Sequence, residues 1–192
     1  LLKKLIASKA ALETRNVDGQ TPLILASRNG HAVAVKALVD ARVNIRSRDK
    51  KNSTALAEAA HHGHLEVLKI LLAAKAPIDV DNKQAQTPLM LAADAGHVKV
   101  VQFLVDSGAD LDACEADGFT PVAIAASTGH ADIVQILVTA RAALDVRNHS
   151  GETALIAAAA GGYTDVVRIL LEAGADADIT NRKASRIAIV LF

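Results

Sequence analysis

One threonine recurs every 33 residues along this chain, at Thr21, Thr54, Thr87, Thr120 and Thr153. Five residues after each stands an alanine (Ala26, Ala59, Ala92, Ala125, Ala158), and nine after each a glycine (Gly30, Gly63, Gly96, Gly129, Gly162). Leucine follows seventeen residues on, at Leu38, Leu71, Leu104, Leu137 and Leu170. Four columns, each filled five times, define an internal repeat. A unit this short cannot bury an apolar face alone, so neighbouring units must stack.

Within one unit the local signals are clear. Asp18-Gly19 reads as a turn, Thr21 caps a helix, and Pro22 takes its first position. Gly30 stops that helix after about two turns. A second helix is expected from about Ala32 to Ala41, with Val35, Leu38 and Val39 on one face. Val43 to Asp49 lacks a helical period and reads as an extended return to the next turn. Composition agrees. The hydrophobic fraction is 51% and the aromatic fraction 2%, and alanine fills about a fifth of the chain. Small side chains suit closely packed helices rather than a sandwich or barrel.

Thr21-Pro22-Leu23 with Ala26 and Gly30-His31, repeated as Thr87-Pro88-Leu89 with Gly96-His97, resembles the ankyrin repeat. Gly108-Ala109-Asp110 and Gly174-Ala175-Asp176 match that family's exit from the second helix. The resemblance covers essentially the whole chain. It implies an all-α solenoid of paired antiparallel helices, with β-hairpin fingers projecting at about a right angle and a concave face. The expected units are about 16–48, 49–81, 82–114, 115–147 and 148–180, in one array with partial repeats at 1–15 and 181–192.

Departures from the pattern are informative. The family's usual histidine two residues after the proline is replaced by Ile24, Ala57, Met90, Ala123 and Ile156, which makes the inner layer more apolar. Glu58 places a carboxylate where the other units have Leu25, Leu91, Ile124 and Ala157, and its head is expected to reach solvent. Asn52 and Ala85 replace the finger-turn glycine kept at Gly19, Gly118 and Gly151. Alanine tolerates positive φ poorly, so the finger at Ala85 is expected to be less regular. Lys9, Arg42, Lys75 and Arg141 stand where the family favours glycine after the second helix. There a cation offsets strain by interacting with the helix C-terminus. Leu1 to Ala7 matches half a unit, and Arg182 to Phe192 enters another that ends on Ile189-Val190-Leu191-Phe192. Open apolar ends suggest an excerpt of a longer chain, or ends covered by further repeats or another subunit.

Little points to chemistry. Net charge is zero, which argues against bulk attraction to nucleic acid or anionic membrane. No run reaches the roughly 18 apolar residues of a membrane span. Cys114 is the lone cysteine, which fits a reducing, intracellular compartment, with the cytoplasm favoured. Cys114 has no evident histidine partner, and no phosphate loop, metalloprotease motif or catalytic triad is present. His61, His62 and His64 cluster, but His64 belongs to a repeat column expected to bond backbone between helices. No metal, cofactor or catalytic residue is therefore expected. The run Arg46, Arg48, Lys50, Lys51 lacks interleaved aromatics, so it reads as a solvated or protein-docking patch rather than a nucleic-acid site.

What remains is surface. Positions that vary from unit to unit lie at the finger tips and at the end of the first helix. The candidate binding residues are Asp18, Gln20, Arg28, Lys50, Lys51, His61, His62 and Lys83 in the basic N-terminal half. In the C-terminal half they are Asp94, Asp117, Phe119, Ser127, His149 and Glu152. An exposed Phe119 among small residues is the expected anchor. The resulting expectation is a non-catalytic module that binds a partner protein or peptide on its concave face. A regulatory or docking segment of a larger enzyme or channel is the alternative, and an architectural subunit of a large assembly is a third.

Overall fold

The computed structural model describes residues 12–180. The half-unit at Leu1–Ala7, Lys9 and the stretch 181–192 lie outside the described residues. The rest is ten helices in five pairs. The first helices of the pairs are α1 (Pro22–Arg28), α3 (Ala55–His61), α5 (Pro88–Asp94), α7 (Pro121–Thr128) and α9 (Ala154–Gly161). Their partners are α2 (Ala32–Asp40), α4 (Leu65–Ala73), α6 (Val98–Asp106), α8 (Ala131–Thr139) and α10 (Thr164–Glu172). First helices pack on first helices, second on second, and each on its own partner, which gives two layers.

The threonine column starts the first helices. In each, the hydroxyl accepts from the backbone N–H three residues on, for example Ile24 N–H to Thr21 at 3.3 Å and Ala57 N–H to Thr54 at 3.2 Å. Such a bond satisfies a donor that the helix cannot, and losing it costs about 1 kcal/mol. The glycine nine residues on takes positive φ, 70° at Gly30 and 77° at Gly129, and stops the helix. The alanine column then lets the first helices approach: Ala59, Ala92, Ala125 and Ala158 are wholly buried. Ile24, Ala57, Met90, Ala123 and Ile156 are buried beside them, forming the apolar layer.

The glycine and histidine columns couple adjacent pairs. His64 Nε2 donates to the carbonyl of Arg28 at 3.0 Å, His97 to that of His61 at 3.0 Å, and His130 to that of Asp94 at 3.2 Å. Each carbonyl belongs to the preceding pair, so these histidines bond between pairs rather than within their own loop. The same rings lie against the preceding glycine. A Cβ built on Gly30 would come within 2.6 Å of the His64 ring. Tyr163 takes this place over Gly129 and Gly161.

A second coupling runs along the loops that leave the second helices. The carboxylates of Glu13, Asp79, Asp112 and Asp145 each accept from a backbone N–H 31 residues later. The donors are Asn44 (2.7 Å), Asp110 (3.1 Å), Ala143 (2.8 Å) and Asp176 (2.9 Å). Among the described residues this rung is missing at the seam between the first two helix pairs. There Arg46 stands in the carboxylate column, and the residue 31 later is Pro77, which has no N–H.

Two expectations are corrected. The fingers are turns rather than ladders: among the described residues the β-pairing is a single antiparallel bridge, Arg48 to Thr54. Nor is the finger at Ala85 irregular. Ala85 takes φ 58°, and its N–H donates to Asn82 at 3.0 Å, as Gly19 N–H does to Asn16 at 2.9 Å. Hydrogen bonds to Asn82 hold this turn (below) and offset the strain of about 1 kcal/mol that alanine meets at positive φ. After the second helices, Arg42 (59°), Lys75 (64°) and Arg141 (67°) are likewise left-handed. Each forms the bond pair of a Schellman end, as in Arg42 N–H to Val39 and Val43 N–H to Leu38.

Candidate interaction groove

Each finger is organised by one polar side chain at its base. Asn16 Oδ1 accepts from Asp18 N–H (3.0 Å) and Gln20 N–H (2.9 Å). Asp49 and Asn82 do the same for their fingers, with bonds of 2.8–3.0 Å. Adjacent tips are then tied by one backbone bond each: Lys50 N–H to Asp18 (2.9 Å), Lys83 N–H to Lys51 (3.0 Å), Ala116 N–H to Gln84 (2.9 Å) and His149 N–H to Asp117 (2.9 Å). The tips form a continuous rail at fixed spacing.

Between this rail and the first helices of the first three pairs lies a groove of about 610 Å³. Seven candidate residues meet there: Asp18, Gln20, Arg28, Lys50, Lys51, His61 and His62. Glu58 stands in its wall, with a side chain that keeps 16% of its surface exposed. Arg28 lies 3.9 Å from its carboxylate and His62 Nδ1 4.0 Å away. The Glu58 head therefore does face the groove. The His61 and His62 rings meet edge-on at 4.9 Å, and His62 stacks parallel to His64 at 6.2 Å. His62 Nδ1 donates to the Glu58 carbonyl at 2.9 Å. Burial pushes the His61 pKa down, His62 adds to this, and the carboxylates of Glu58 and Asp94 act against it. Near pH 7 His61 is therefore neutral, a hydrogen-bonding surface rather than a charge. Among the described residues, Lys50 and Lys51 have no carboxylate within ion-pair distance, so their ammonium groups are not held by a partner, although Asp18, Asp49 and Glu58 line the same groove.

The other candidates do not line this groove. Lys83 is exposed at the next tip. Asp94 is exposed at the end of α5. Asp117 and His149 are exposed on later tips. Ser127 is exposed, and its hydroxyl donates to the Ile124 carbonyl at 2.8 Å. Three expectations of accessibility are corrected. Gln20 is only 6% exposed, and its side-chain oxygen accepts from Asn16 Nδ2 at 3.1 Å. Glu152 is half-buried and tied in the same way to Asn148 at 3.2 Å. Phe119 is half-buried and packs against the core rather than standing out as an anchor.

Sequence reasoning missed Asp49, Asn82 and Leu91 as lining residues. A signal for the first two existed: Asn16, Asp49, Asn82, Glu115 and Asn148 form another 33-residue column of side chains that accept turn N–H bonds. Leu91 is buried down to 8% and offers only an edge. Among the described residues no helix is long and apolar enough to cross a membrane, and no three His, Cys, Asp or Glu side chains gather as a metal-holding group.

Against known families, the model described as ankyrin repeats matches in three overlapping stretches, residues 1–84, 35–114 and 89–181. No curated protein matches the chain.

Proposed function

The chain belongs to the ankyrin-repeat family, whose arrays are generally protein–protein interaction modules, and from that premise we propose that it binds a partner protein or peptide in the groove between its fingers and first helices. The observation that carries this reading is the placement of unpaired Lys50 and Lys51 on a rail of hydrogen-bonded tips, facing His61 and His62 across the groove. Because the tips are bonded to one another, a partner meets a surface whose ordering entropy is already lost, and little more is lost on binding. Lys50 and Lys51, with Lys83 beside them, steer an acidic segment toward the groove. His61, kept neutral by burial, and His62 supply polar contacts on its floor. Arg28 and Glu58, already paired, add specificity rather than net attraction. The role is non-catalytic, and it needs no cofactor.

The test is affinity capture from source lysate, followed by association kinetics of the captured partner. Lys50→Glu with Lys51→Glu is expected to slow association by about tenfold at low salt and to flatten its salt dependence. Glu66→Ala and Lys99→Ala, on second helices, should change neither. Loss of capture through the second-helix variants, with the groove variants intact, would make the groove the wrong face.

A further inference from the structure

The missing rung between the first two helix pairs leaves more than a gap. Along the exit-loop edge the column reads Glu13, Arg46, Asp79, Asp112, Asp145. Four carboxylates are each held by a backbone N–H, but Arg46 is exposed, and its side chain has no bonding partner among the described residues. Geometry at the other seams puts this side chain beside residue 77, two positions from Lys75. Arg42 and Lys75 occupy equivalent helix ends of adjacent pairs, about 10 Å apart as packed helices are. Both are exposed, and both hold positive φ, where Gly108 and Gly174 show that glycine serves. Arg42, Arg46 and Lys75 thus share one seam, with Glu13 beside Arg42. Arg141 is the one matching cation at a later seam, and there Asp145 stands in place of Arg46.

A shallow depression adjoins it. Between α2 and α4 lies a groove of about 340 Å³ lined by Val39, Ile70, Ala73 and Ala74. The rim lysines Lys36 and Lys69 are already paired with Asp40 and Glu66. Ala74 immediately precedes Lys75, and Val39 lies one turn before Arg42, so the apolar floor runs up to the basic edge.

We propose that the edge formed by Arg42, Arg46 and Lys75 is a second interaction surface, which takes an acidic protein segment carrying one apolar side chain. The acidic residues lie over the three cations and the apolar one enters the depression between α2 and α4. Asp79, Asp112 and Asp145 repel the same segment from the later seams, where Arg141 is the one matching cation, so the charge pattern favours the first seam. A nucleic acid fits less well, since no aromatic ring flanks the cations and stacking would be absent. This surface lies on another side of the molecule from the finger groove and does not depend on it.

The test uses a fluorescein-labelled oligoglutamate peptide with one central leucine, titrated at low salt into the whole chain. Replacing Arg42→Gly, Arg46→Asp and Lys75→Gly together should weaken binding by about tenfold, the loss expected of two or three exposed ion pairs. Glycine suits both positive-φ positions, so circular dichroism should show the fold intact. Because the finger rail also draws acidic chain, the titration is repeated in a Lys50→Glu, Lys51→Glu background, where the triple change should still lower affinity by about tenfold. Zero-length carbodiimide cross-linking of the parent should join the peptide to Lys75. Three results would overturn the proposal: unchanged affinity on adding the triple change to the Lys50→Glu, Lys51→Glu background, no cross-link at Lys75, or tighter binding of a single-stranded oligonucleotide of equal charge.

Discussion

Ser27 stands where the other first helices carry Ala60, Ala93, Ala126 and Ala159. It is wholly buried, and among the described residues its hydroxyl has no hydrogen-bond partner. An unsatisfied hydroxyl keeps its desolvation cost, so Ser27→Ala should stabilise the chain by about 1 kcal/mol, read as a higher urea midpoint. A lower midpoint would mean that the oxygen is satisfied in solution. Ala92 presents the opposite case. It is wholly buried where α5 meets its neighbours, and Ala92→Leu should destabilise by about 1–3 kcal/mol because added methylenes force the helices apart. An unchanged thermal midpoint would contradict the close contact. Residues whose role is local were legible in the sequence: each threonine bonds an N–H three residues away, and each helix-ending glycine needs only its own φ. Gln20 and Phe119 were not. They vary from unit to unit, which suggested exposure, but that position turns back onto its own finger or the core. Variation in a column is not exposure.

At the scale of elements, the repeat period gave the ten helices and their order, because caps, glycines and apolar spacing all agree. It could not give the couplings between pairs. A histidine that bonds a carbonyl 36 residues earlier, or a carboxylate that bonds an N–H 31 residues later, joins two different columns, and neither column alone says which backbone group it meets. Arg46 and Pro77 show this most clearly, since each looks like ordinary variation until the seam is assembled. The pair makes a quantitative prediction. Pro77→Ala restores a donor and Arg46→Asp restores an acceptor, so the double variant should be more stable than the sum of the singles by about 1 kcal/mol, a modest value for an exposed charge-assisted bond. Denaturation of the four proteins checks it, and strict additivity would show that the loop rungs contribute nothing. Ala85 carries a related lesson. Propensity argued for a distorted finger, but two bonds to the Asn82 side chain, at 2.9 and 3.0 Å, outweigh one residue's backbone preference.

For the whole molecule, the stack converts a one-dimensional repeat into two faces with different chemistry. Fingers and first helices form a wet, charged groove, while the second helices offer a shallower and more apolar surface. Half of the candidate residues line this groove, because it is built from the columns that vary at tips and helix ends. Of the rest, Lys83 and Asp94 belong to the third pair but miss the groove, and the others lie over later pairs, where the same columns carry smaller side chains such as Ala116, Ser127 and Gly161. The central claim is that partner binding runs through the finger groove. Hydrogen exchange of the chain with and without its captured partner tests this most directly. The account predicts slowed exchange in the fingers at 49–53 and 82–86 and in the last turn of α3, with α4 and α6 unchanged. Protection confined to α4 and α6, with the fingers exchanging as in the free chain, would contradict it.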